Sequence, residues 1–458
     1  MFSSSKSNDK KHTYVFSLSS SHNCEKRSMR MTLKKSTLVK PIEETPRGSL
    51  WLSSLDLVMP DNFHTRYVLF YRCDGFFDAA VMKAALSRVL VEFYPFAGRL
   101  RRDDHRGRIE INCNGKGVMF TEAECDGAVD DFFGGIAPRP DVSLVPNVDY
   151  SGGISTFPLL LVQLTRFKCG GVSIGFANEH HLADGISAQH FNKSWGEIAR
   201  GLTPSLPPFF DRRLLASRDP PRRPHFPHIE HHPPPSLNTP LSLSDTTFSI
   251  FNLTLHQINS LKQKCNHKSK FTTYEIVTGH VWRCVTAARG LPGDQETKLQ
   301  LPVDARTRLR PNLPPGYLGN AIFYTSAFAL CGQLVSEPLA FAVGRVHDAI
   351  ARMDDEYLRS AVDYMELHRS AIVRDAATLN CPNVGITSWL RLPFYEVDFG
   401  WGKPAFAGAG AATFEGKCNL FSGPENEGGI YVAITLSEKH IKSFAKLLYD
   451  ECGIISKI

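Results

Sequence analysis

The sequence lacks any apolar run near the roughly 18 residues a helix needs to cross a bilayer. A stretch such as FPLLLVQL at 157–164 is only strand-length, so no membrane span is expected. It also lacks a C-x-x-C pair. Its eleven cysteines are odd in number and scattered, which argues against a disulfide frame or a zinc site and for reduced thiols in a cytoplasmic protein. There is no Lys/Arg stripe interleaved with aromatics, and the net charge of +6 is mild for 458 residues. Nucleic acid is therefore not an expected partner, while a local basic patch for a phosphate-bearing ligand stays open. The first thirty residues, MFSSSKSNDKKHTYVFSLSSSHNCEKRSMR, have no long apolar core and are not a secretory signal. Their Ser and basic content leaves a transit peptide open, but Asp9 and Glu25 weaken that reading. A disordered tail over 1–30 is expected.

What is present describes a globular protein, with 42% hydrophobic and 21% charged residues. The chain is too long for one ordinary core, and two domains of about 200 residues each are expected. The stretch 202–240, LTPSLPPFFDRRLLASRDPPRRPHFPHIEHHPPPSLNTP, is the richest in proline. Proline is excluded from helix interiors and central strands, so this reads as a linker between an N-terminal domain, 31–201, and a C-terminal domain, 241–458.

Strand and helix patterns mix in both halves. DAAVMKAALSRVLVEF (78–93) reads as an amphipathic helix with Val81, Ala84, Leu86, Val89 and Leu90 inward. GRIEINCNGKGVMFTEA (107–123) alternates like a hairpin. Downstream, LTLHQINSLKQKC and TYEIVTGHVWRCVTAARG read as helices, GGIYVAITL (428–436) as a strand, and SEKHIKSFAKLLYDEC as a last helix capped by Ser437.

The reading is sharpest around ANEHHLADGISAQHF, residues 177–191. PLLLVQLTRFKC is a strand, Gly170-Gly171 a two-residue turn, and VSIGFAN the returning strand. Ala188, Phe191, Trp195, Ile198 and Leu202 then recur at spacings of three and four, with Gly201 as the stop and Asp184 in the N-cap position. His180 therefore lies between a strand end and a helix start, where a side chain can face a cavity.

Three chemistries compete there. A metal site would need three or four protein ligands. His180, His181 and Asp184 do not make a convincing set, and His225, His228, His231 and His232 sit among linker prolines and read as a metal-free surface patch. A serine hydrolase is suggested by GVSIG (171–175), but G-x-S-x-G needs a strand before the serine and a helix directly after it; here Ser173 reads as a strand residue. The third possibility is His180 alone as general base. Acyl transfer from an activated donor needs a base within reach, donors for the developing oxyanion, and two substrates held together. Locally, a buried, hydrogen-bonded histidine with an aspartate cap explains the pattern equally well.

A distant motif separates these readings. DFGWGKP (398–404) together with HHLADG resembles the plant BAHD acyl-CoA-dependent acyltransferases. STLVKPIEETP, FYPFAGRLRRD, LRPNLPPGYLGN and DYMELH are similar to the same family, so the resemblance runs from about Thr32 to the end. It implies an α/β protein of two chloramphenicol-acetyltransferase-like domains, each of mixed sheet and helices, joined by a long crossover with the active-site channel at their interface. It implies His180 as the general base. Asp184 is implied as an orienting residue paired with an arginine, for which Arg306 in VDARTR is the candidate. Asp398, Gly400, Trp401 and Gly402 are implied to be structural. The resemblance implies no cofactor, acyl-CoA being a substrate, and the expected form is a monomer.

For CoA the candidates are Lys262, Lys264, Lys268 and Lys270 in LKQKCNHKSKFTTY (261–274), a cationic cluster suited to a phosphorylated nucleotide or else a solvated helix end. Thr273 is the candidate beside the pantetheine arm. Within the family the chain most resembles hydroxycinnamoyl-CoA:shikimate/quinate transferases, which implies p-coumaroyl-CoA as a donor and a small acidic acceptor. TSWLRLP supplies Thr387, Trp389 and Arg391, and an arginine fork can hold a carboxylate. Trp389, Thr387 or nearby backbone donors are candidates for the oxyanion. FHTRYVLFYR departs from that group's FHTPSVYFYR: Thr65 is retained, and Arg66, Tyr67 and Leu69 replace Pro, Ser and Tyr. If Tyr67 and Leu69 face the acceptor, the pocket becomes more apolar and would suit a flatter acid such as anthranilate. SLWLSSLDLV and TRFKCGGVSIGFA also resemble anthranilate N-acyltransferases. A catalytically silent binding protein is the reading of a different class, and the intact His180, Asp184 and DFGWG argue against it.

Overall fold

A computed structural model describes residues 13–17, 28–72, 78–103, 107–133, 144–237, 246–265, 271–369, 372, 376–410, 414–423 and 428–452. In the N-terminal half the elements are β1 (Thr13–Ser17), β2 (Ser28–Val39), β3 (Ser49–Leu50), α1 (Ser54–Leu57), β4 (His64–Tyr71), α2 (Ala79–Glu92), β5 (Arg99–Arg102), β6 (Ile109–Asn112), β7 (Val118–Cys125), β8 (Leu160–Phe167), β9 (Val172–Glu179) and α3 (Gly185–Ala199). The C-terminal half adds β10 (Thr246–Leu253), α4 (Leu255–Lys264), α5 (Thr273–Arg289), β11 (Glu296–Asp304), β12 (Ile322–Leu330), α6 (Cys331–Ser336), α7 (Leu339–Ala351), α8 (Asp355–Leu367), β13 (Val384–Ser388), β14 (Phe406–Ala409), β15 (Lys417–Ser422), β16 (Ile430–Ser437) and α9 (Glu438–Asp450). None of the described helices is long and apolar enough to cross a membrane.

Two large mixed sheets organise the α/β fold. The first runs β1-β2-β7-β8-β9-β4-β14 and the second β10-β16-β15-β13-β11-β12, with a small sheet β3-β6-β5 beside them. Strands β8 and β9 form the expected antiparallel pair, but not across a two-residue Gly170-Gly171 turn: the connection spans 168–171, and its tight turn is centred on Lys168 and Cys169, with Gly170 N–H donating to the Phe167 carbonyl at 3.0 Å. All eight residues of β9 are buried, as befits a strand packed on both faces. Helix α3 starts at its Asp184 cap, buries Ala188, Phe191 and Trp195, and ends at Gly201, whose φ of +77° suits glycine.

Several expectations change. On α2 the inward stripe is Ala79, Met82, Ala85, Leu86, Val89 and Leu90; Val81 is 52% exposed and Ala84 also faces water. The run Met82, Ala85, Leu86, Val89 keeps helical spacing better than the phase through Val81. The 107–123 hairpin does not form, because β6 joins the small sheet and β7 the large one. The chain leaves β6 through Gly117, where a Cβ would sit 2.5 Å from the Val39 carbonyl oxygen. Ser437 holds the N-cap position of α9 but makes no side-chain cap bond.

Within the stretch expected to be a tail, Thr13–Ser17 pairs antiparallel with β2; residues 1–12 and 18–27 lie outside the described residues. The described part of the Pro-rich crossover, 202–237, carries only short 3-10 turns at Arg212–Leu215 and Ile229–His231 and one bridge, Phe209 to Tyr317. Its His228 is buried, bonded to Glu230 and Ser360, and His231 stacks on Tyr364, so only His225 and His232 fit the expected surface patch.

The halves also exchange structure. Strand β14, which follows DFGWG in the chain, pairs with β4 and completes the first sheet. Trp389, Val397, Phe399, Phe406, Phe421 and Tyr431 consequently belong to the core of the N-terminal half. A second core packs α5, α7 and α9 on one face of the second sheet, and a third joins α1, the crossover residue Leu215 and α8.

Candidate active site

His180 is the first residue after β9, in a turn closed by the α3 cap. Each backbone polar group of the next three residues has a named partner. His180 N–H donates to the Phe63 carbonyl at 3.0 Å, and its own carbonyl accepts from Asn320 Nδ2 at 2.7 Å. The N–H groups of His181 and Leu182 donate to Glu179 Oε2 at 2.7 and 3.3 Å. The carbonyls of the same two residues accept from Arg212, at 2.9 Å for His181. Satisfied in this way, the buried turn has little freedom to move its half-buried imidazole.

Arg212 comes from the crossover, and its charge is met by Asp56 of α1 at 3.0 Å, both side chains being fully buried. Asp56 also takes Ser53 N–H and Oγ, and the backbone N–H and amide of Asn320 at 3.0 and 2.8 Å. Gly319 leaves room for Arg212: with φ of +159°, a Cβ there would lie 2.9 Å from Arg212 Nε. Residues 56, 212 and 320 thus meet under the turn. Asp56 and Asn320 fall in SLWLSSLDLV and LRPNLPPGYLGN, segments quoted above for their resemblance but without an assigned role, whereas nothing in the Pro-rich stretch marks Arg212.

Asp184 does not serve His180. Its carboxylate receives Arg306 Nη1 and Nη2 at 2.8 and 3.0 Å, Ser187 N–H at 3.0 Å and Ala321 N–H at 3.0 Å. Burial alone would push this carboxyl up, but the Arg306 guanidinium and these donors outweigh it and hold the pKa below the ordinary value. Arg306 also bonds Asp304 and the Gly319 carbonyl, so Asp184 ties the start of α3 to the loop after β11. His181 does more than pack. Burial opposes its charge, yet Glu179, 2.7 Å from Nδ1, raises its pKa overall. On the neighbouring strand His64, bonded to Tyr150 and the Pro158 carbonyl, has its pKa lowered by burial.

Around the imidazole lies an aromatic edge. Phe63 stacks on His180 at 5.8 Å and 22°, and Phe414 tilts against Phe63 at 6.2 Å. Leu392 abuts Gly185 at the start of α3, which brings TSWLRLP to the His180 turn. Thr387, half-buried, accepts a hydrogen bond from Lys417 Nζ; Trp389 is buried against Phe394; Arg391 is exposed and has no ion-pair partner among the described residues. Thr65 is half-buried on β4, opposite Asn178. Tyr67 and Leu69 point into the core. The Tyr67 hydroxyl accepts from Asn192, its ring stacks on Phe176 at 4.8 Å, and burial raises its phenol pKa. The replacements in FHTRYVLFYR at these two positions therefore repack the core under α3, and the inference from them to a flatter acceptor falls.

Asp398 behaves as a loop brace. Its Oδ1 accepts from the N–H groups of Gly400, Trp401 and Gly402 at 2.7, 3.1 and 3.0 Å, with Arg200 3.5 Å from Oδ2. Phe399 meets Trp195 edge-on at 4.8 Å, seating the loop on α3. Ser173 is fully buried inside β9, without the strand–elbow–helix setting of a hydrolase nucleophile. Of the lysine cluster, Lys262 is half-exposed and Lys264 exposed at the end of α4; Lys268 and Lys270 lie outside the described residues. Thr273 is half-buried at the first position of α5, after the true cap, Thr272. Among the described residues no group of three or more His, Cys, Asp or Glu is placed to hold a metal ion.

A family model described as the Transferase family matches residues 29–450. Shikimate O-hydroxycinnamoyltransferase of Nicotiana tabacum is 53% identical over 438 residues, covering 92% of this chain and 100% of that protein. Rosmarinate synthase of Plectranthus scutellarioides is 50% identical over 435 residues, with the same coverage. The crystal structure of vinorine synthase superposes with a TM-score of 0.71 at 23% identity, covering 92% of this chain and 98% of that one.

Proposed function

The chain belongs to the BAHD acyl-CoA-dependent acyltransferases of the Transferase family, and from that premise we propose that it moves a hydroxycinnamoyl group, such as p-coumaroyl, from CoA to a hydroxyl of a carboxylate-bearing acceptor. Shikimate or quinate is the acceptor class that fits first. The observation that carries this reading is the pinned turn at residues 180–182, which holds one imidazole at a strand–helix junction while Asp184 is committed to Arg306.

In the reaction, the His180 imidazole accepts the acceptor's hydroxyl proton as the oxygen attacks the thioester carbonyl. The tetrahedral oxyanion that forms is held by donors near Thr387 and Trp389. When the C–S bond breaks, the imidazolium returns its proton to the CoA sulfur, leaving ester and free thiol. No covalent enzyme intermediate and no cofactor are needed, because the thioester is already activated. A positioned base contributes about 10²–10⁴-fold, and holding both substrates together supplies much of the rest. Lys262 and Lys264, with Lys268 and Lys270, are the candidates for the CoA phosphates, and Thr273 for the pantetheine arm. Arg391 is the sequence candidate for the acceptor carboxylate. The expected form is a cytoplasmic monomer.

The test is a product screen with p-coumaroyl-CoA against shikimate, quinate, anthranilate and hydroxyphenyllactate, following thiol release and the ester or amide formed. Acceptor-dependent thiol release with an O-ester of shikimate or quinate is expected, lost by about 10²–10⁴-fold in His180→Ala with the fold intact. An amide of anthranilate as the main product would replace the acceptor class, and near-normal turnover by His180→Ala would sink the mechanism.

A further inference from the structure

Away from His180, the ends of α4 and α9 close over the middle of α5 and gather thiols around one imidazole. His280 is fully buried on α5, and its Nε2 donates to the Leu448 carbonyl of α9 at 2.9 Å. That bond fixes the tautomer and leaves Nδ1 as the acceptor. Cys284, one turn further along α5, sets its Sγ 3.6 Å from Nδ1. Glu451 Oε2 lies 3.5 Å from the same nitrogen, and Arg283 Nε holds the other carboxylate oxygen at 2.9 Å. Cys452 donates to the Leu448 carbonyl at 3.3 Å and also reaches the imidazole. Cys265, the C-cap of α4, is close enough for the same ring to act on its thiol.

The acyl transfer proposed above uses none of these groups. Their order, thiol to imidazole to carboxylate, suits removal of a proton from sulfur. Nδ1 can take the Cys284 proton, and the imidazolium then has Glu451 as counter-ion and the Leu448 carbonyl as acceptor. Burial by itself would push the His280 pKa down, but Cys284, with Cys452 and Glu451, outweighs it and holds it well above the ordinary value. Cys418 is the contrast within the same core: burial pushes its thiol up to about 12, and no hydrogen bond ties it to a histidine among the described residues. Cys284 and Cys452 are each 1% exposed, yet the group reaches water through the side chains of Glu451 and Arg283, 25% and 18% exposed. Cys452 lies in the turn just past α9, and helix ends fray at low cost.

We propose that Cys284 and Cys452 form a reversible, peroxide-responsive thiol pair, with His280 as the base that activates Cys284, and that oxidation staples α5 to α9. The Cys284 thiolate attacks one oxygen of hydrogen peroxide, the O–O bond breaks, and the sulfur becomes a sulfenic acid. The departing hydroxide takes the imidazolium proton and leaves as water. The Cys452 sulfur then attacks the sulfenic sulfur, the S–O bond breaks, and the hydroxide leaves with the Cys452 proton as a second water. The two thiols together give up two electrons, which reduce one peroxide to two waters. A thiol reductant reverses the bond by exchange, and disulfides in reducing compartments are usually of this transient kind.

The experiment treats the full chain with hydrogen peroxide, alkylates the remaining thiols in denaturant, and maps peptides by mass spectrometry without reduction. A Cys284–Cys452 disulfide should form about tenfold or more faster than Cys418 is oxidised, and dithiothreitol should remove it. In Cys452→Ser the reaction should stop at a Cys284 sulfenic acid, which dimedone traps. His280→Gln keeps an amide donor for the Leu448 carbonyl but accepts no proton, and it should slow disulfide formation about tenfold. Glu451→Gln, at the solvent edge, should slow it several-fold and guards against a folding defect in the His280 variant. The melting temperature of the wild type should rise on oxidation, because the cross-link constrains the unfolded chain, and that of Cys284→Ser should not. Equal rates at Cys284 and Cys418, a bond from Cys284 to Cys265 rather than to Cys452, or full-rate oxidation in both His280→Gln and Glu451→Gln would each overturn the proposal.

Discussion

Replacing Arg212 with Met tests whether the crossover holds the candidate base in place. The guanidinium and Asp56 are both fully buried at 3.0 Å, and Arg212 is the donor to the carbonyls of His181 and Leu182. Removing one member of a buried ion pair costs about 3–5 kcal/mol, because the remaining charge stays in low dielectric. Asp56 would keep Ser53 N–H and Oγ and the two donors of Asn320, which places the pair's share at the lower end. Each carbonyl left without a donor adds roughly 1–3 kcal/mol, partly overlapping the first figure, so the expected total is about 4 kcal/mol. Against an overall stability of about 5–15 kcal/mol the variant should still fold in the cold. The released groups belong to the two residues after His180, so kcat should also fall by roughly 10–100-fold, on the scale of an ångström of misplacement, with both KM values little changed. Urea unfolding followed by tryptophan fluorescence reads the first effect and steady-state kinetics at 15 °C (about the temperature of greatest stability) the second. A stability loss under about 1 kcal/mol together with full kcat would refute the reasoning, because it would mean the turn is held without Arg212.

Arg306→Ala should be at least as costly, about 3–5 kcal/mol, since it strands the buried Asp184 carboxylate; a change below 1 kcal/mol on urea unfolding would count against the brace. In the wild type the Asp184–Arg306 stabilisation is present above the unfolded aspartate pKa of about 3.9 and disappears as pH falls through the lower folded value. For His181 the sign is reversed: its folded pKa is raised, so the Glu179 pair stabilises fully below about pH 6.5 and is lost as pH climbs through the folded value. His181→Asn should therefore remove a component of stability that declines with rising pH, and parallel pH profiles of melting temperature for variant and wild type would contradict this. Lys262→Ala with Lys264→Ala should raise KM for p-coumaroyl-CoA several-fold, more at low salt than high, and leave KM for the acceptor unchanged; a salt-independent effect would place the lysines away from the nucleotide.

The sequence by itself determined whatever depends on short spacing. Strand β8, strand β9, the Asp184 cap and the Gly201 stop all lie within some forty residues, and period and cap chemistry agree there, although the turn between the strands falls at Lys168-Cys169 rather than on the Gly-Gly pair. The pairing of Asp184 with Arg306, 122 residues away, was legible only through resemblance to a family, since no periodicity points from one to the other. Tertiary structure alone decided the rest. A hydrophobic pattern states that a strand has an inward face, not which strand it will pair with. Hence β14 could not be assigned to the first sheet, nor β6 and β7 to separate ones. Asp56, Arg212 and Asn320 converge across as many as 264 residues under a turn none of them adjoins. Lys417 and Thr387, 30 residues apart, become neighbours because parallel pairing sets β13 beside β15. The candidate catalytic motif is local and readable, whereas the frame that holds its turn is assembled from distant charges brought together by folding.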